Sequence, residues 1–293
     1  MTHRPRRRGR SALVLLVVLT GACTSVAAPT ARTTDASPAL QAVLVASELA
    51  VGEQRVPVGI LEHNTPVNDA AVHLRAYRQA PTDPLLSEAD APFKGEGLLG
   101  QGAYVASLTF ATSGRWLIEV SARRAGRPAV TTGLSVNVLP RPTGLAVGDA
   151  APQSRNPTVR DVADVHDIDS GSPPDDMHDL SIAEAIANHR PTLVLFATPA
   201  FCTSAMCGPE VHAVQALEPA YRDRISFIHI EIYRDYRPDP TKRRFTQTVQ
   251  EWRLQSEPWV FLIDARGMIR AAFEGPTAAD EIRVAVDRML GAP

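Results

Sequence analysis

Cys202 and Cys207 lie in the stretch "FCTSAMCGPE" and are the residues of this sequence best suited to chemistry. Four residues separate them, and the 293-residue chain contains only one other cysteine, Cys23. Two neighbouring thiols can exchange electrons with another disulfide, hold a soft metal ion, or form a disulfide that only stabilises a loop. The spacing alone leaves these three possibilities open.

The N-terminus predicts export from the cytoplasm. Five arginines between Arg4 and Arg10 precede the apolar run "ALVLLVVLTGA". A basic region, an apolar region and then small residues are typical of a cleaved secretory signal, and the run is too short to cross a bilayer comfortably. We therefore assign residues 1–22 to a signal peptide.

The stretch "LTGAC", from Leu19 to Cys23, resembles the lipobox of bacterial lipoproteins, with Thr20 at the place where that motif usually has leucine. The resemblance implies that Cys23 is lipidated and anchors the protein at the extracytoplasmic face of the cell membrane. The alternative is a secreted protein in which Cys23 has no role. If Cys23 carries lipid, Cys202 and Cys207 have only each other as intramolecular disulfide partners in an oxidising compartment.

The composition is that of a soluble globular protein with enough residues for two domains. Hydrophobic residues make up 44% of the chain and charged residues 21%, and the formal net charge is −2. A charge this small provides no electrostatic basis for binding nucleic acid, so we expect no nucleic-acid partner.

The first predicted domain is an all-β sandwich at residues 39–140, which follows a small, polar tether at 23–38. Its six or seven short apolar runs are regularly spaced, and several alternate with period two, as Trp116, Ile118 and Val120 do. This pattern is typical of a β-sandwich. The stretch "GAYVASLTFATSGRWLIEV" resembles the paired late strands of immunoglobulin-like modules on exported bacterial proteins, which implies an immunoglobulin-like domain.

Residues 141–178 are predicted to be a linker and the segment that leads into the second domain, because prolines and glycines interrupt the strand pattern. The acidic stretch "DVHDIDSGSPPDDMHD" contains several candidate cation ligands: Asp164, Asp167, Asp169, Asp175, Asp176, His166 and His178. Their spacing is not that of a known calcium or zinc loop. We interpret the stretch as a solvated loop without a metal.

Residues 179–293 are predicted to form an α/β domain. Ser181 and Glu184 form a capping box before a helix, and "TLVLFATP" and "ISFIHIEIY" suit buried strands. The stretches "PEVHAVQALEPAYRD" and "DPTKRRFTQTVQEWRL" are predicted to be helical. A hairpin turning at Arg266-Gly267 and a last helix follow, which together predict a sheet with right-handed crossovers and an antiparallel pair at one side.

A cysteine motif directly after a buried strand, and a proline directly before a later strand, resemble the thioredoxin fold. The resemblance begins near residue 146 and rests on "VGDAAP", "VLFATPAFCTSAMCGPEV" and "SEPWVFLIDARG". These stretches are similar to exported thioredoxin-like domains of the TlpA, peroxiredoxin and Sco types. The resemblance implies that Pro258 follows a cis peptide bond and shapes the surface where a substrate chain lies beside the cysteines.

The same resemblance implies thiol-disulfide exchange at a C-x4-C motif, where the family usually has C-x-x-C. The stretch "CGP" reproduces the start of C-G-P-C, and Pro209 suits a first helical turn that would bring Cys207 near free N–H groups. We therefore prefer Cys207 as the attacking thiol and Cys202 as the resolving thiol. Negative charge on Glu210 would work against this preference.

The function implied is that of an extracytoplasmic, membrane-anchored thiol-disulfide oxidoreductase that needs no cofactor. Its partners would be protein thiols or disulfides, or another redox protein. The main alternative is a non-catalytic binding lipoprotein in which Cys202 and Cys207 form a structural disulfide on a thioredoxin scaffold.

Two further alternatives come from other branches of the family. A copper(I) chaperone of the Sco type would use the two thiols with Met206 and His212, but "QSEPW" lacks the histidine that such proteins use as third ligand. A thiol peroxidase is suggested by Pro199 and Thr203, although Cys207 arrives one residue late for that motif. We interpret His212 and His229 as structural histidines.

Overall fold

The computed structural model describes residues 40–291. The predicted signal peptide at 1–22, Cys23 and the tether at 23–38 lie outside the described residues. Residues 40–291 form a strand-rich N-terminal region, here called the β domain, and a C-terminal α/β domain. None of the helices in this part of the chain is both long and apolar enough to cross a membrane.

Two five-stranded sheets make up the β domain. One sheet has the order β1-β3-β8-β7 with β4 paired to β3, and the other has the order β2-β10-β9-β5-β6. The strands are β1 (Gln41–Leu44), β2 (Leu49–Ala50), β3 (Gly52–Glu62), β4 (Thr65–Pro66), β5 (Ala71–Tyr77), β6 (Ser87–Asp90), β7 (Phe93–Lys94), β8 (Ala103–Phe110), β9 (Gly114–Arg123) and β10 (Val130–Leu139).

The β domain encloses a single hydrophobic cluster to which both sheets contribute. The predicted alternation is present in β9, where Trp116, Ile118 and Val120 are buried and the residues between them are more exposed. Phe110 at the end of β8 packs edge-on against Trp116, with ring centroids 5.1 Å apart. Each large apolar side chain buried in this way stabilises the fold by about 1.5–3 kcal/mol.

The α/β domain has a four-stranded sheet with the order β12-β11-β15-β16. Strand β11 is parallel to β12, and β15 is antiparallel to both β11 and β16. Its elements are α1 (Ile182–Ala187), β11 (Thr192–Ala197), α2 (Cys207–Gln215), α3 (Glu218–Tyr221), β12 (Ser226–Glu231), β13 (Tyr233–Arg234), β14 (Arg244–Phe245), α4 (Gln247–Trp252), β15 (Trp259–Ile263), β16 (Ile269–Glu274) and α5 (Ala279–Met289).

Local sequence signals explain where α1 and α4 begin. The predicted capping box of Ser181 and Glu184 is present at α1. The helix predicted over "DPTKRRFTQTVQEWRL" is shorter than expected and begins only at Gln247. Residues before it pair instead as β13 and β14, and Thr246 caps α4 by accepting a hydrogen bond from the N–H of Val249.

The stretch predicted to be a linker packs against the α/β domain over much of its length. The N–H groups of Gly148 and Ala151 donate to the carbonyl oxygens of Ile269 and Gly267, each at 2.9 Å. Ser154 is buried as well. Residues 148–154 are therefore a structural part of the α/β domain.

The loop between β7 and β8 of the β domain packs against the α/β domain. Leu98 in this loop has no exposed surface and lies in a hydrophobic cluster of the α/β domain. Gly97 beside it has φ +80°, and a Cβ there would lie 2.9 Å from the Cα of Ala213, so only glycine allows this close approach. Arg55 of β3 adds an ion pair with Glu281 of α5, with nitrogen and oxygen 2.9 Å apart.

Candidate active site

The loop between β11 and α2 holds the two cysteines. Strand β11 is buried along its whole length, and the chain leaves it at Ala197 and enters α2 at Cys207. Cys202 and Cys207 form a disulfide with their Cα atoms 5.9 Å apart, a separation usual for a disulfide. The spacing of four residues is therefore compatible with a bonded pair at the start of this helix.

The two cysteines differ in exposure. Cys207 has no exposed surface and belongs to the hydrophobic cluster beneath α2, whereas Cys202 is partly exposed on the loop. An attacking thiol must reach a substrate's sulfur, which a fully buried residue does not do. This burial disagrees with our sequence-based preference for Cys207 as the attacking thiol.

Hydrogen bonding also favours Cys202. Its Sγ accepts a hydrogen bond from the backbone N–H of Cys207 at 3.2 Å and lies 3.3 Å from the Oγ of Ser204. The N–H groups at a helix N-terminus stabilise negative charge, so this position favours a thiolate. The helix start was predicted correctly, but its free N–H group faces Cys202 because the long loop folds back over the first turn of α2.

Pro258, the third predicted site residue, follows a cis peptide bond with Glu257, as the resemblance implied. The Glu257 side chain contacts the cysteine loop, because its Oε1 accepts hydrogen bonds from the Thr203 N–H at 3.2 Å and the Thr203 hydroxyl at 2.8 Å. The sequence analysis did not single out Glu257. An acidic residue directly before the proline of "SEPW" was the available signal.

Glu210 lies in the first turn of α2 but carries less charge than its residue type suggests. The side chain is fully buried, and burial raises its pKa to about 8. Its Oε2 accepts a hydrogen bond from the Thr277 N–H at 2.9 Å, while no partner lies within reach of its buried Oε1. Near neutral pH the carboxyl is therefore mostly protonated, and the predicted opposition to a thiolate is weak.

Aromatic side chains flank Cys202 on one side. Phe201 contacts Tyr233 and Tyr236, with ring centroids 6.1 and 5.3 Å apart, and the Arg243 guanidinium lies 5.2 Å from the Phe201 centroid. Phe245 stacks on Tyr233 and is 51% exposed. We call Phe201, Tyr233, Tyr236 and Phe245 the aromatic patch, and it places apolar surface beside the accessible cysteine.

A second group of reactive side chains, the Asp/His cluster, lies near the C-terminal end of β11, where His229 Nε2 is 3.3 Å from the carbonyl oxygen of Ala197. It consists of Asp169, Asp175, His178 and His229, and all four side chains are at most 3% exposed. His178 Nε2 is 3.2 Å from Asp169 Oδ2 and 3.2 Å from Asp175 Oδ1, and His229 Nδ1 is 2.7 Å from Asp175 Oδ2. Our interpretation of these loop residues as solvated is therefore wrong.

Charges within the Asp/His cluster stabilise one another. Burial alone would lower the pKa of both histidines and raise that of both aspartates. Hydrogen bonds and attraction between opposite charges outweigh burial, so the pKa of His178 rises to about 9 and that of His229 is also raised. The pKa values of Asp169 and Asp175 are lowered.

This cluster was not predicted from the sequence, because His229 is at least 50 residues from the other three members and lies in an apolar run. By contrast, the exposed members of the same acidic stretch behave as predicted: His166 and Asp167 lie on the surface. The available signal was a histidine inside the buried strand "ISFIHIEIY", since a buried imidazole needs polar partners.

The copper(I) and peroxidase alternatives lack support in the local geometry. His212 Nδ1 lies 2.8 Å from the carbonyl oxygen of Gly97. Within residues 40–291, the group of three or more potential ligands whose atoms converge is the Asp/His cluster, which contains neither cysteine. Cys207, which would have to reach a peroxide, is fully buried, and the Thr203 hydroxyl contacts Glu257.

Trp252 and Phe261 pack in the hydrophobic core of the α/β domain. Both are fully buried, their ring centroids lie 4.8 Å apart, and each also contacts Phe196. Trp259 stacks on Phe261 at 5.3 Å directly after Pro258. These rings support the loop of Pro258. Their contacts are those of core residues, so we do not assign them to a cofactor site.

Comparison with known proteins identifies the second domain. Residues 178–290 match the family model described as a thioredoxin-like domain. Among curated proteins, none matches the chain. A solved structure of a DUF4426 family protein from Pseudomonas aeruginosa PAO1 is 17% identical, with a TM-score of 0.27, and the match covers 35% of this chain and 91% of that one. The C-terminal domain is thus thioredoxin-like, with a C-x4-C disulfide where such domains carry their cysteines.

Proposed function

We propose that this protein is an extracytoplasmic thiol-disulfide oxidoreductase whose Cys202–Cys207 pair exchanges with the thiols or disulfides of other proteins. The observation that carries the proposal is the asymmetry of the pair. Cys202 is partly exposed and its Sγ accepts a hydrogen bond from the first N–H of α2, while Cys207 is fully buried. An accessible attacking thiol and a shielded resolving thiol are what sequential exchange requires.

In the reducing direction, the Cys202 thiolate attacks one sulfur of a substrate disulfide. A mixed disulfide forms, and the second substrate sulfur leaves as a thiolate that takes up a proton. The Cys207 thiolate then attacks Cys202 Sγ, which re-forms the Cys202–Cys207 disulfide and releases the first substrate sulfur. The substrate gains two electrons, the protein loses two, and the reverse sequence oxidises a substrate dithiol.

Two neighbouring features suit a polypeptide substrate. The hydrogen bonds from Thr203 to Glu257 hold the loop of Pro258 against the cysteine loop. The aromatic patch offers partly exposed rings on which apolar side chains of a bound chain can pack. A redox partner that regenerates the cysteine pair would use the same surface.

The proposal includes the location of the protein. Cleavage after residue 22 and lipidation of Cys23 would anchor the chain at the extracytoplasmic face of the membrane, where the oxidising environment permits disulfides. The β domain, for which we propose an immunoglobulin-like fold, would then stand between the lipid anchor and the thioredoxin-like domain. Mass spectrometry of the N-terminal peptide from cell membranes tests this part.

The proposed activity is tested by insulin reduction together with a glutathione-buffer titration of the cysteine pair. Wild type, Cys202→Ser and Cys207→Ser are compared, and a Glu53→Gln variant, changed at an exposed position of the β domain, serves as the control because it keeps both thiols and their surroundings. Turnover by wild type and Glu53→Gln, and its loss in both cysteine variants, supports the proposal. Absence of turnover in the wild type overturns it.

A structural disulfide is the second candidate, because Cys207 packs within the hydrophobic core beneath α2. In that case the pair would hold the long loop on the scaffold, and the lipoprotein would act by binding. A reduction potential below about −300 mV, with no exchange toward protein disulfides, would favour this candidate, since stable structural disulfides lie in that range.

A further inference from the structure

We propose that the Asp/His cluster, Asp169, Asp175, His178 and His229, is a binding site for one divalent transition-metal ion of the zinc type. The site is separate from the cysteine pair and does not depend on the proposed redox function. Two imidazoles and two carboxylates are ligands that zinc accepts in four-coordinate sites.

The positions of the ligand atoms fit four-coordination. One ligand atom from each residue lies within 4.8 Å of the other three. At metal-ligand distances of about 2.0–2.2 Å, neighbouring ligand atoms of a tetrahedral site lie about 3.3–3.6 Å apart. His178 Nε2 lies 3.2 Å from Asp169 Oδ2 and from Asp175 Oδ1, which is close to this value. His229 Nδ1 lies 2.7 Å from the other oxygen of Asp175, Oδ2, so this contact must open by less than an ångström and Asp175 would face the ion with both oxygens.

The hydrogen-bonding pattern of His229 points independently to a cation. Its Nε2 lies 3.3 Å from the carbonyl oxygen of Ala197, an atom that only accepts hydrogen bonds, so Nε2 carries a hydrogen. In the neutral imidazole, Nδ1 then presents a lone pair to Asp175 Oδ2, which is also an acceptor. Two acceptors 2.7 Å apart require a positive charge between them, either a proton or a metal ion. A backbone carbonyl that fixes the other ring nitrogen is the usual partner of a metal-binding histidine.

The carboxylates are also held by backbone groups. Asp169 accepts hydrogen bonds from the N–H groups of Gly171 and Asp175, both at 2.7 Å, and Asp175 Oδ1 accepts one from the Met177 N–H at 2.9 Å. Such outer contacts orient ligating carboxylates in metal sites. The loop is therefore organised around these oxygens before any ion arrives.

The donor set selects the class of metal. Two aspartates carry a charge of −2, which a divalent ion neutralises when both imidazoles are neutral. Imidazole nitrogen is a poor ligand for magnesium and calcium, and the absence of sulfur from the cluster disfavours copper(I). Because all four side chains are buried and none leaves an open face, we infer a structural ion that ties the loop to β12.

The experiment uses the purified protein without a histidine tag, with the disulfide intact so that the thiols cannot bind metal. The chain is first stripped with a chelator and then titrated with Zn²⁺ and with Co²⁺. The proposal expects one ion per chain and the intense visible absorption of tetrahedral Co²⁺, which Zn²⁺ then displaces. No binding, or a weak octahedral Co²⁺ spectrum, overturns the proposal without any variant.

Four substitutions locate the site. His178→Gln and Asp169→Asn should weaken Zn²⁺ binding by at least about 10- to 100-fold, the loss that even outer partners of a metal cause. The matched controls are His166→Gln and Asp176→Asn, exposed residues of the same stretch, and they should bind Zn²⁺ as the wild type does. Zn²⁺ binding that is unchanged in His178→Gln and Asp169→Asn would show that the ion binds elsewhere and would sink the proposal.

Discussion

The cysteine loop and the Asp/His cluster lie near the same strand, β11, yet they are built on opposite principles. The cysteine loop keeps one reactive atom accessible on a surface flanked by aromatic rings, and its partner residues come from a short stretch of chain. The cluster keeps every reactive atom away from solvent and draws its members from the loop before α1 and from β12. An accessible cysteine suits disulfide exchange with another protein, whereas buried side chains suit a structural role within the fold.

The largest expected difference between the two regions is in chemical reactivity. In the reduced protein at neutral pH, iodoacetamide should modify Cys202 more than about tenfold faster than Cys207, because only Cys202 is accessible and faces the N-terminus of α2. Peptide mass spectrometry of a time course measures both rates. Equal rates, or faster modification of Cys207, would restore our first assignment of the attacking thiol.

Removing one charge from the Asp/His cluster should lower the free energy of unfolding more than removing the charge of the neighbouring exposed aspartate. Asp175→Asn leaves the buried imidazoles without a full partner, and breaking a buried ion pair in this way costs about 3–5 kcal/mol. The neighbouring exposed Asp176→Asn should change the free energy of unfolding by about 0.5 kcal/mol or less. Urea unfolding in the presence of a chelator gives both values, and similar losses would show that the cluster contributes little.

Glu210, beneath the cysteine loop, should make stability fall with rising pH. Burial raises its pKa from 4.5 to about 8, so the folded chain keeps a proton that the unfolded chain releases. This contribution to stability is fully present below about pH 4.5 and is lost as the pH approaches 8. Between pH 5 and 8 the wild type should lose about 1–4 kcal/mol relative to Glu210→Gln.

The measurement is urea unfolding of both proteins across that pH range, with Glu53→Gln, an exposed position, as the control. The difference between wild type and Glu210→Gln should grow with pH, and the difference between wild type and Glu53→Gln should stay constant. A constant difference for Glu210→Gln would mean that the carboxyl is ionised in the folded state at all these pH values.

The smallest expected effect concerns the contact between the two loops of the candidate active site. Thr203→Val removes the hydroxyl that donates to Glu257 and should cost about 1 kcal/mol, with a few-fold loss of insulin reduction. Thr203→Ser keeps the hydroxyl and should behave as the wild type. Identical results for the valine and serine variants would show that this hydrogen bond does not position the cysteine loop.

The sequence predicted those features that depend on neighbouring residues. The capping box at α1, the buried strand β11, the hairpin of β15 and β16 and the pairing of Cys202 with Cys207 each follow from a short stretch with its own signal. The thioredoxin-like domain could be identified because its cysteine and proline motifs keep a fixed order along the chain.

Features that depend on distant residues were not predictable in the same way. The fold-back of Cys202 onto α2 depends on how four loop residues pack. His229 meets Asp175 because the loop before α1 lies against β12, where the His229 N–H donates to the carbonyl oxygen of Met177. The neutrality of Glu210 requires knowledge of what buries it. In each case tertiary packing sets the environment, and environment decides which thiol, imidazole or carboxyl is reactive.

Leu98 has a consequence for how the chain can be divided. Because this side chain of the β domain completes the core of the α/β domain, the two parts share stabilising contacts and should unfold in one cooperative transition. A fragment that begins at residue 141 would lose Leu98 and leave a void against α2 and α5. Moving the thioredoxin-like domain onto another protein therefore requires the loop between β7 and β8 to be moved with it.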